Sequence, residues 1–308
     1  MARPPEYIDL QVNGYMGVDL NADDLSAEGL HAACEHLRRD GVAGILATIV
    51  TAGLDDMAAR LARIAAYREA DALVREVIWG LHVEGPFISP LPGYVGAHPP
   101  EHVRPAEADA MRRLLDAAAG LTRLVTLAPE HDAGLAVTRL LAGRGILVSA
   151  GHCDPSLDQL RAALDAGLTM FTHLGNGCPM MLPRHDNIIQ RALCLSERLT
   201  LMFIADGVHV PYPALGNYLR VAGMERTVVV TDAISAAGLG PGRFTIGARA
   251  VEVGEDLVAR GPGNSYLVGS TATMPRMARA LAAEIGLSAR DVRRLTSANP
   301  RRALGIGV

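Results

Sequence analysis

The stretch Trp79–Pro86, W-G-L-H-V-E-G-P, is an apolar run that ends on a carboxylate, Glu84, and breaks at once on Gly-Pro. Three later stretches have the same form. Ile146–His152 (I-L-V-S-A-G-H) closes on His152, Leu168–His173 (L-T-M-F-T-H) on His173, and Thr227–Asp232 (T-V-V-V-T-D) on Asp232. Working outward, eight short β-rich runs alternate with helical stretches: Ile8–Val12, Ile45–Thr51, Val77–Glu84, Arg123–Leu127, Ile146–Gly151, Thr169–His173, Thr200–Ala205 and Thr227–Asp232. That alternation is the pattern of repeated βα units. It predicts an α/β chain folded as a (β/α)8 TIM barrel, with polar side chains gathered at the carboxyl ends of the strands.

The helices between the strands read consistently. Asp55–Ala70 is rich in Ala, Leu and Arg, and Ala106–Ala119 carries Met111, Leu114 and Leu115 at helical spacing. Ser156 and Gln159 form a capping-box pattern after Pro155, and Ser288 opens a similar start. After Asp232, the segment G-R-F-T-I-G-A-R-A-V-E-V reads as a β-hairpin excursion. No linker or repeat divides the chain, so residues 1–308 are expected to form a single catalytic barrel domain.

Composition narrows the function. The 308 residues are 49% hydrophobic with a net charge of −4, which provides a full core and no basic footprint for nucleic acid. No apolar run approaches the roughly 20 residues that cross a bilayer. The start, M-A-R-P-P-E-Y-I-D-L, has no apolar leader core, and the four cysteines lack C-x-x-C spacing. The expectation is a reduced, cytoplasmic protein without a membrane partner. There is no lysine; all 29 basic residues are arginine. Schiff-base chemistry and a carbamylated-lysine metal bridge are therefore excluded.

The four strand-end residues suggest a chemistry. Glu84, His152 and His173 supply one carboxylate and two imidazoles, which leave a tetrahedral cation one open position. Asp232 is then placed as acid/base: it takes a proton from water and returns one to a leaving nitrogen, as amide hydrolysis requires. Each residue also has a plainer reading, as a packed histidine, a turn carboxylate or a helix cap. Their common position at successive strand ends favours the joint site. If the strand phases agree, Gln11 and Asn13 face inward as well. His82 shares the face of Glu84, either as support for it or as ordinary packing.

Further stretches add a resemblance. I-D-L-Q-V-N-G, G-L-H-V-E-G-P-F, V-T-L-A-P-E, S-A-G-H, T-H-L-G-N-G, A-D-G-V-H-V, T-D-A-I-S-A-A-G and L-V-G-S-T-A-T-M run in order from Tyr7 to the C-terminal region. Together they resemble the N-acetylglucosamine-6-phosphate deacetylases of the amidohydrolase superfamily. The resemblance implies Glu84, His152 and His173 as metal ligands and Asp232 as the catalytic acid/base. For the substrate it implies Ala97 and His98 near the acetamide, Asn176 and Gly177 after the second metal histidine, Arg184 at the phosphate, and His209 at the sugar. Leu267, Val268, Gly269 and Ser270 would form a loop over the ring.

It also implies one divalent cation, zinc first, with iron or cobalt as alternatives, and a homodimer acting on a small N-acetyl amino sugar. Gln11 and Asn13 stand where many superfamily members carry H-x-H, so they read as vestigial second-metal positions. The chain departs from the family in three ways. The flanking β-domain is not seen in it; N-G-C-P-M-M-L-P-R-H-D-N replaces the usual segment around Arg184; and the loop P-F-I-S-P-L-P-G-Y-V-G-A-H is reshaped. The same deacetylation of an unphosphorylated or specialised N-acetyl sugar is the alternative reading, followed by a non-catalytic sugar-binding barrel.

Overall fold

The structure is a computed structural model and describes residues 6–246, 249–261 and 267–307. The first five residues, part of the leader reading, lie outside the described residues. Eight parallel strands form one sheet in sequence order: β1 (Tyr7–Val12), β2 (Val42–Val50), β3 (Ile78–Glu84), β4 (Thr122–Leu127), β5 (Leu147–Ala150), β6 (Met170–Phe171), β7 (Thr200–Ile204) and β8 (Thr227–Val230). Most of their residues are buried, and T-V-V-V in β8 is buried throughout. This is expected of strands covered on both faces, by helices outside and side chains within. The architecture is the (β/α)8 barrel read from the sequence.

The helices cover the sheet through apolar stripes. Ala27–Arg39 buries Leu30, Ala33, Cys34 and Leu37, and Ala108–Ala117 buries Ala110, Met111, Leu114 and Leu115, the spacing of one helical face. The capping box at Ser156 and Gln159 is complete and opens the helix Leu157–Asp165. Ser288 caps Ala289–Arg293 through Asp291. The hairpin forms as two antiparallel strands, β9 (Gly242–Ile246) and β10 (Arg249–Val253); its turn, 247–248, lies outside the described residues. The hairpin has its own small core, in which Val251, Val253 and Ala259 pack with Ile234 and Val268, and Ala97 packs against it. This places the excursion over the carboxyl end of the barrel, beside Asp232.

The seam between β1 and β8 is closed by a short bridge, Val12 to Ala233, and by a buried side chain. Asp9 accepts from the Thr231 hydroxyl at 2.5 Å, the Thr231 N–H at 3.1 Å and the Gln11 N–H at 3.2 Å. Burial pushes the Asp9 carboxyl up to about 7, against the lowering effect of the Thr231 bonds. A carboxyl that binds its proton more tightly when folded favours the fold most below its unfolded value of about 3.9 and loses that advantage as pH rises to about 7.

Removing the seam bonds with Asp9→Ala is expected to lower stability by about 2–4 kcal/mol, from two to three lost bonds to a buried acceptor. Asp9→Asn is expected to remove part of the stability loss seen between pH 5 and pH 8. Denaturant midpoints of the three proteins across that range check both statements.

Candidate functional site

Glu84 ends β3 and is buried. The other three residues do not close their ladders as the sequence reading had them. His152, His173 and Asp232 each lie two residues beyond the last paired residue of β5, β6 and β8. They adopt left-handed backbone, with φ of 52°, 32° and 50°. Such a conformation costs a non-glycine residue about 1–3 kcal/mol and persists where surrounding structure enforces it. The enforcing contacts are visible. The Asp232 carbonyl accepts from the Ser270 N–H at 3.0 Å, and the His173 carbonyl from the Asn176 N–H at 2.9 Å.

The side chains converge. His173 Nε2 is 2.9 Å from Glu84 Oε1 and 3.2 Å from His152 Nε2, and His152 Nε2 is 3.4 Å from Glu84 Oε1. Proton placement makes the cluster electron-rich. His152 Nδ1 lies 2.8 Å from the Tyr94 carbonyl, which only accepts, so the ring proton is there and Nε2 of the neutral ring is bare. A bare nitrogen and a carboxylate oxygen facing each other across a buried gap repel unless a cation or a proton lies between them. Donors about 2.0–2.2 Å from a tetrahedral ion stand about 3.3–3.6 Å from one another. The observed separations, 2.9–3.4 Å, reach that range with a slight outward shift of the side chains, so the residues present fit a divalent cation.

His98 belongs to the same cluster. Its Nε2 is 3.2 Å from His152 Nε2, and ligand atoms of Glu84, His98 and His152 lie within 4.8 Å of one another. The sequence places His98 against substrate; the structure also sets its Nε2 among the donor atoms of the cluster. Its Nδ1 is held by the Thr51 hydroxyl at 2.8 Å, a contact with no signature in the sequence.

Charge in the pocket is balanced by hydrogen bonds. Burial alone would raise the Glu84 carboxyl, but the two imidazoles facing it, His152 and His173, outweigh it and hold it well below the usual range. Burial, and then the negative charge of Glu84, push Asp232 up to about 6. The two amides of β1 meet these acids directly. Gln11 Nε2 donates to Glu84 Oε2 at 3.1 Å, and Asn13 Nδ2 donates to Asp232 Oδ1 at 2.7 Å. Beneath them His82, kept neutral by burial that lowers it to about 4, joins Thr126, Thr172 and Ser149 in a buried chain of 2.7 Å hydrogen bonds.

Two loops form the wall around His152. A Cβ on Gly177 would stand 2.8 Å from His152 Nδ1, and one on Gly96 would stand 3.0 Å from its Cε1; both glycines are left-handed. No other residue type fits there without displacing the ring. Asn176 turns its amide back to the His173 carbonyl. His209 is bound to Asp206 at 2.7 Å, and Ser270 joins the same carboxylate at 3.1 Å. A Cβ on Gly269 would lie 2.9 Å from the Asp232 carbonyl oxygen, so the Leu267–Ser270 loop packs onto the acid. Arg184 is exposed on the loop after Cys178, outside the cluster. Cys153 is buried with its thiol raised by desolvation, and all four cysteines are free.

No protein-family model matches the chain. The chain is 33% identical over 302 residues to N-acetylgalactosamine-6-phosphate deacetylase of Escherichia coli O157:H7, covering 98% of this chain and 78% of that protein. It is 37% identical over 317 residues to N-acetylglucosamine-6-phosphate deacetylase of Homo sapiens, covering 98% and 74%. Among solved structures, it superposes with a TM-score of 0.88 and 34% identity on a variant N-acetyl-D-glucosamine-6-phosphate deacetylase of Mycobacterium smegmatis in complex with N-acetyl-D-glucosamine-6-phosphate, covering 98% of this chain and 77% of that one.

The purified protein is expected to carry about one divalent ion per chain, since one carboxylate and two imidazoles make one set of donors with one position open. Glu84→Gln and His173→Ala are expected to lose most of it, and elemental analysis of the dialysed proteins reads the ratio. A ratio near two would contradict a site in which β1 supplies amides.

Proposed function

The chain belongs to the N-acetylglucosamine-6-phosphate deacetylase family, and from that premise we propose that it hydrolyses the acetamide of N-acetylglucosamine 6-phosphate to the free amine and acetate. The supporting observation is the meeting of Glu84, His152 and His173 within 3.4 Å, in one pocket with Asp232. In this reading those three residues hold a single divalent ion, zinc before iron or cobalt, in a cytoplasmic homodimer whose catalytic unit is one barrel.

A divalent ion bound there supplies Lewis acidity to the carbonyl and lowers the pKa of water. The chain's own residues do the rest. Asn13 occupies Oδ1 of Asp232, which leaves Oδ2 as the proton-carrying oxygen. Oδ2 takes a proton from the attacking water as the new C–O bond forms. It gives that proton to the sugar nitrogen as the C–N bond breaks, so the leaving group departs as a neutral amine. An acid near 6 can play both parts near neutral pH. Gly269, with no side chain, lets the loop approach Asp232 and Ile234 closely. The loop 267–270, Ala97, His98, Asn176, Gly177 and His209 surround the sugar, and Arg184 is the cation for its phosphate.

One observation favours a second substrate reading. Arg184 is exposed and sits in M-M-L-P-R-H-D-N, so an unphosphorylated or specialised N-acetyl sugar is the rival for the same chemistry. Acetate release from paired sugars separates the two. The phosphorylated sugar is expected to win by at least about tenfold in kcat/KM, the worth of one charge-assisted contact; equal turnover would remove the phosphate.

Asp232→Asn is expected to lower kcat by roughly 10²–10⁴ while metal content stays at the wild-type level. Full activity in that variant would contradict the proton shuttle.

A further inference from the structure

Asp206 lies just beyond β7, in A-D-G-V-H, and its carboxylate gathers donors from two loops. Oδ1 accepts the backbone N–H groups of Val208 and His209, both at 2.9 Å. Oδ2 faces His209 Nδ1 at 2.7 Å and the Ser270 hydroxyl at 3.1 Å. We propose that Asp206 is a positioning residue of the sugar site: it keeps the His209 proton on Nδ1 and ties that ring to Ser270, so that Nε2 is the nitrogen turned to a substrate hydroxyl. The inference rests on the reading of His209 as a sugar contact.

The argument is one of donors and acceptors. An ionised carboxylate only accepts, so every group around it must donate. Despite burial, the hydrogen bond from His209 leads the contributions that hold the Asp206 carboxyl below its ordinary value. His209 therefore carries its proton on Nδ1 whether the ring is neutral or charged. A turn cap is the plainer role for an aspartate three residues before a histidine. That role uses Oδ1 alone and leaves the two contacts to Oδ2 unexplained.

Ser270 extends the linkage. Its N–H donates to the Asp232 carbonyl at 3.0 Å, and its carbonyl accepts from Ile234 at 3.1 Å. Asp206 thus connects the histidine that meets the sugar with the loop that enforces the left-handed backbone of the acid/base. Reversing the His209 tautomer would cost substrate binding before it cost chemistry.

Nitrogen NMR of histidine-labelled holoenzyme, with His209→Gln to assign the signal, tests the idea. Wild-type His209 is expected to show a protonated Nδ1. Asp206→Asn presents an amide N–H to Nδ1, so the proton is expected to move to Nε2. In that variant KM should rise about tenfold with kcat changed less than about threefold, as for loss of one hydrogen bond in uniform binding. Ser270→Ala should raise KM less and leave the tautomer in place. A wild-type ring protonated only on Nε2, or an unchanged KM in Asp206→Asn, would overturn the proposal. If that variant does not fold, the wild-type spectrum and the Ser270→Ala KM still decide it. The spectrum needs no substrate, so inactivity on N-acetylglucosamine 6-phosphate would remove the function and leave the proton placement standing.

Discussion

Two imidazole nitrogens and a carboxylate oxygen crowd one buried point at the carboxyl end of this barrel, and much of the site is arranged around that fact. Electron pairs 2.9–3.4 Å apart in a water-poor interior repel unless a cation or a proton lies between them. The protein fixes the arrangement beforehand. The Tyr94 carbonyl sets the tautomer of His152, Thr51 holds His98, and Gln11 takes the outer oxygen of Glu84. Side chains whose second atoms are bonded in this way cannot swing apart, which is how outer contacts would orient them toward a cation.

Much of the framework was legible in the sequence. The eight strands, the hairpin after Asp232 and the cap at Ser156 all follow from local pattern, because burial on both faces and helix starts leave their mark within a few residues. The convergence of Glu84, His152 and His173 was also readable, from their common place at strand ends. What local pattern could not give was the left-handed backbone at His152, His173 and Asp232, since it is imposed by distant partners such as Ser270 and Asn176. For the same reason Asp9 at the β1–β8 seam and Thr51 behind His98 passed unnoticed. Each acts on a residue far away in sequence. Asp206 had a signal, an acid three residues before His209, but the signal resembles an ordinary turn cap.

The amides of β1 change meaning once their partners are seen. Read as vestiges of a second metal site, Gln11 and Asn13 would be idle. In the structure each directs its N–H group at one acid: Gln11 at Glu84 and Asn13 at Asp232. Two carboxylates share this pocket, and the charge of Glu84 is already felt at Asp232. A positive centre beside each acid eases that repulsion, and an amide N–H supplies part of one without carrying net charge. It also occupies one oxygen of each carboxylate, leaving Glu84 Oε1 to the histidines and Asp232 Oδ2 outside that bond. A neutral donor on β1 therefore does for orientation what a second cation would do. It does so without a second charge that would pull the Asp232 carboxyl down from about 6.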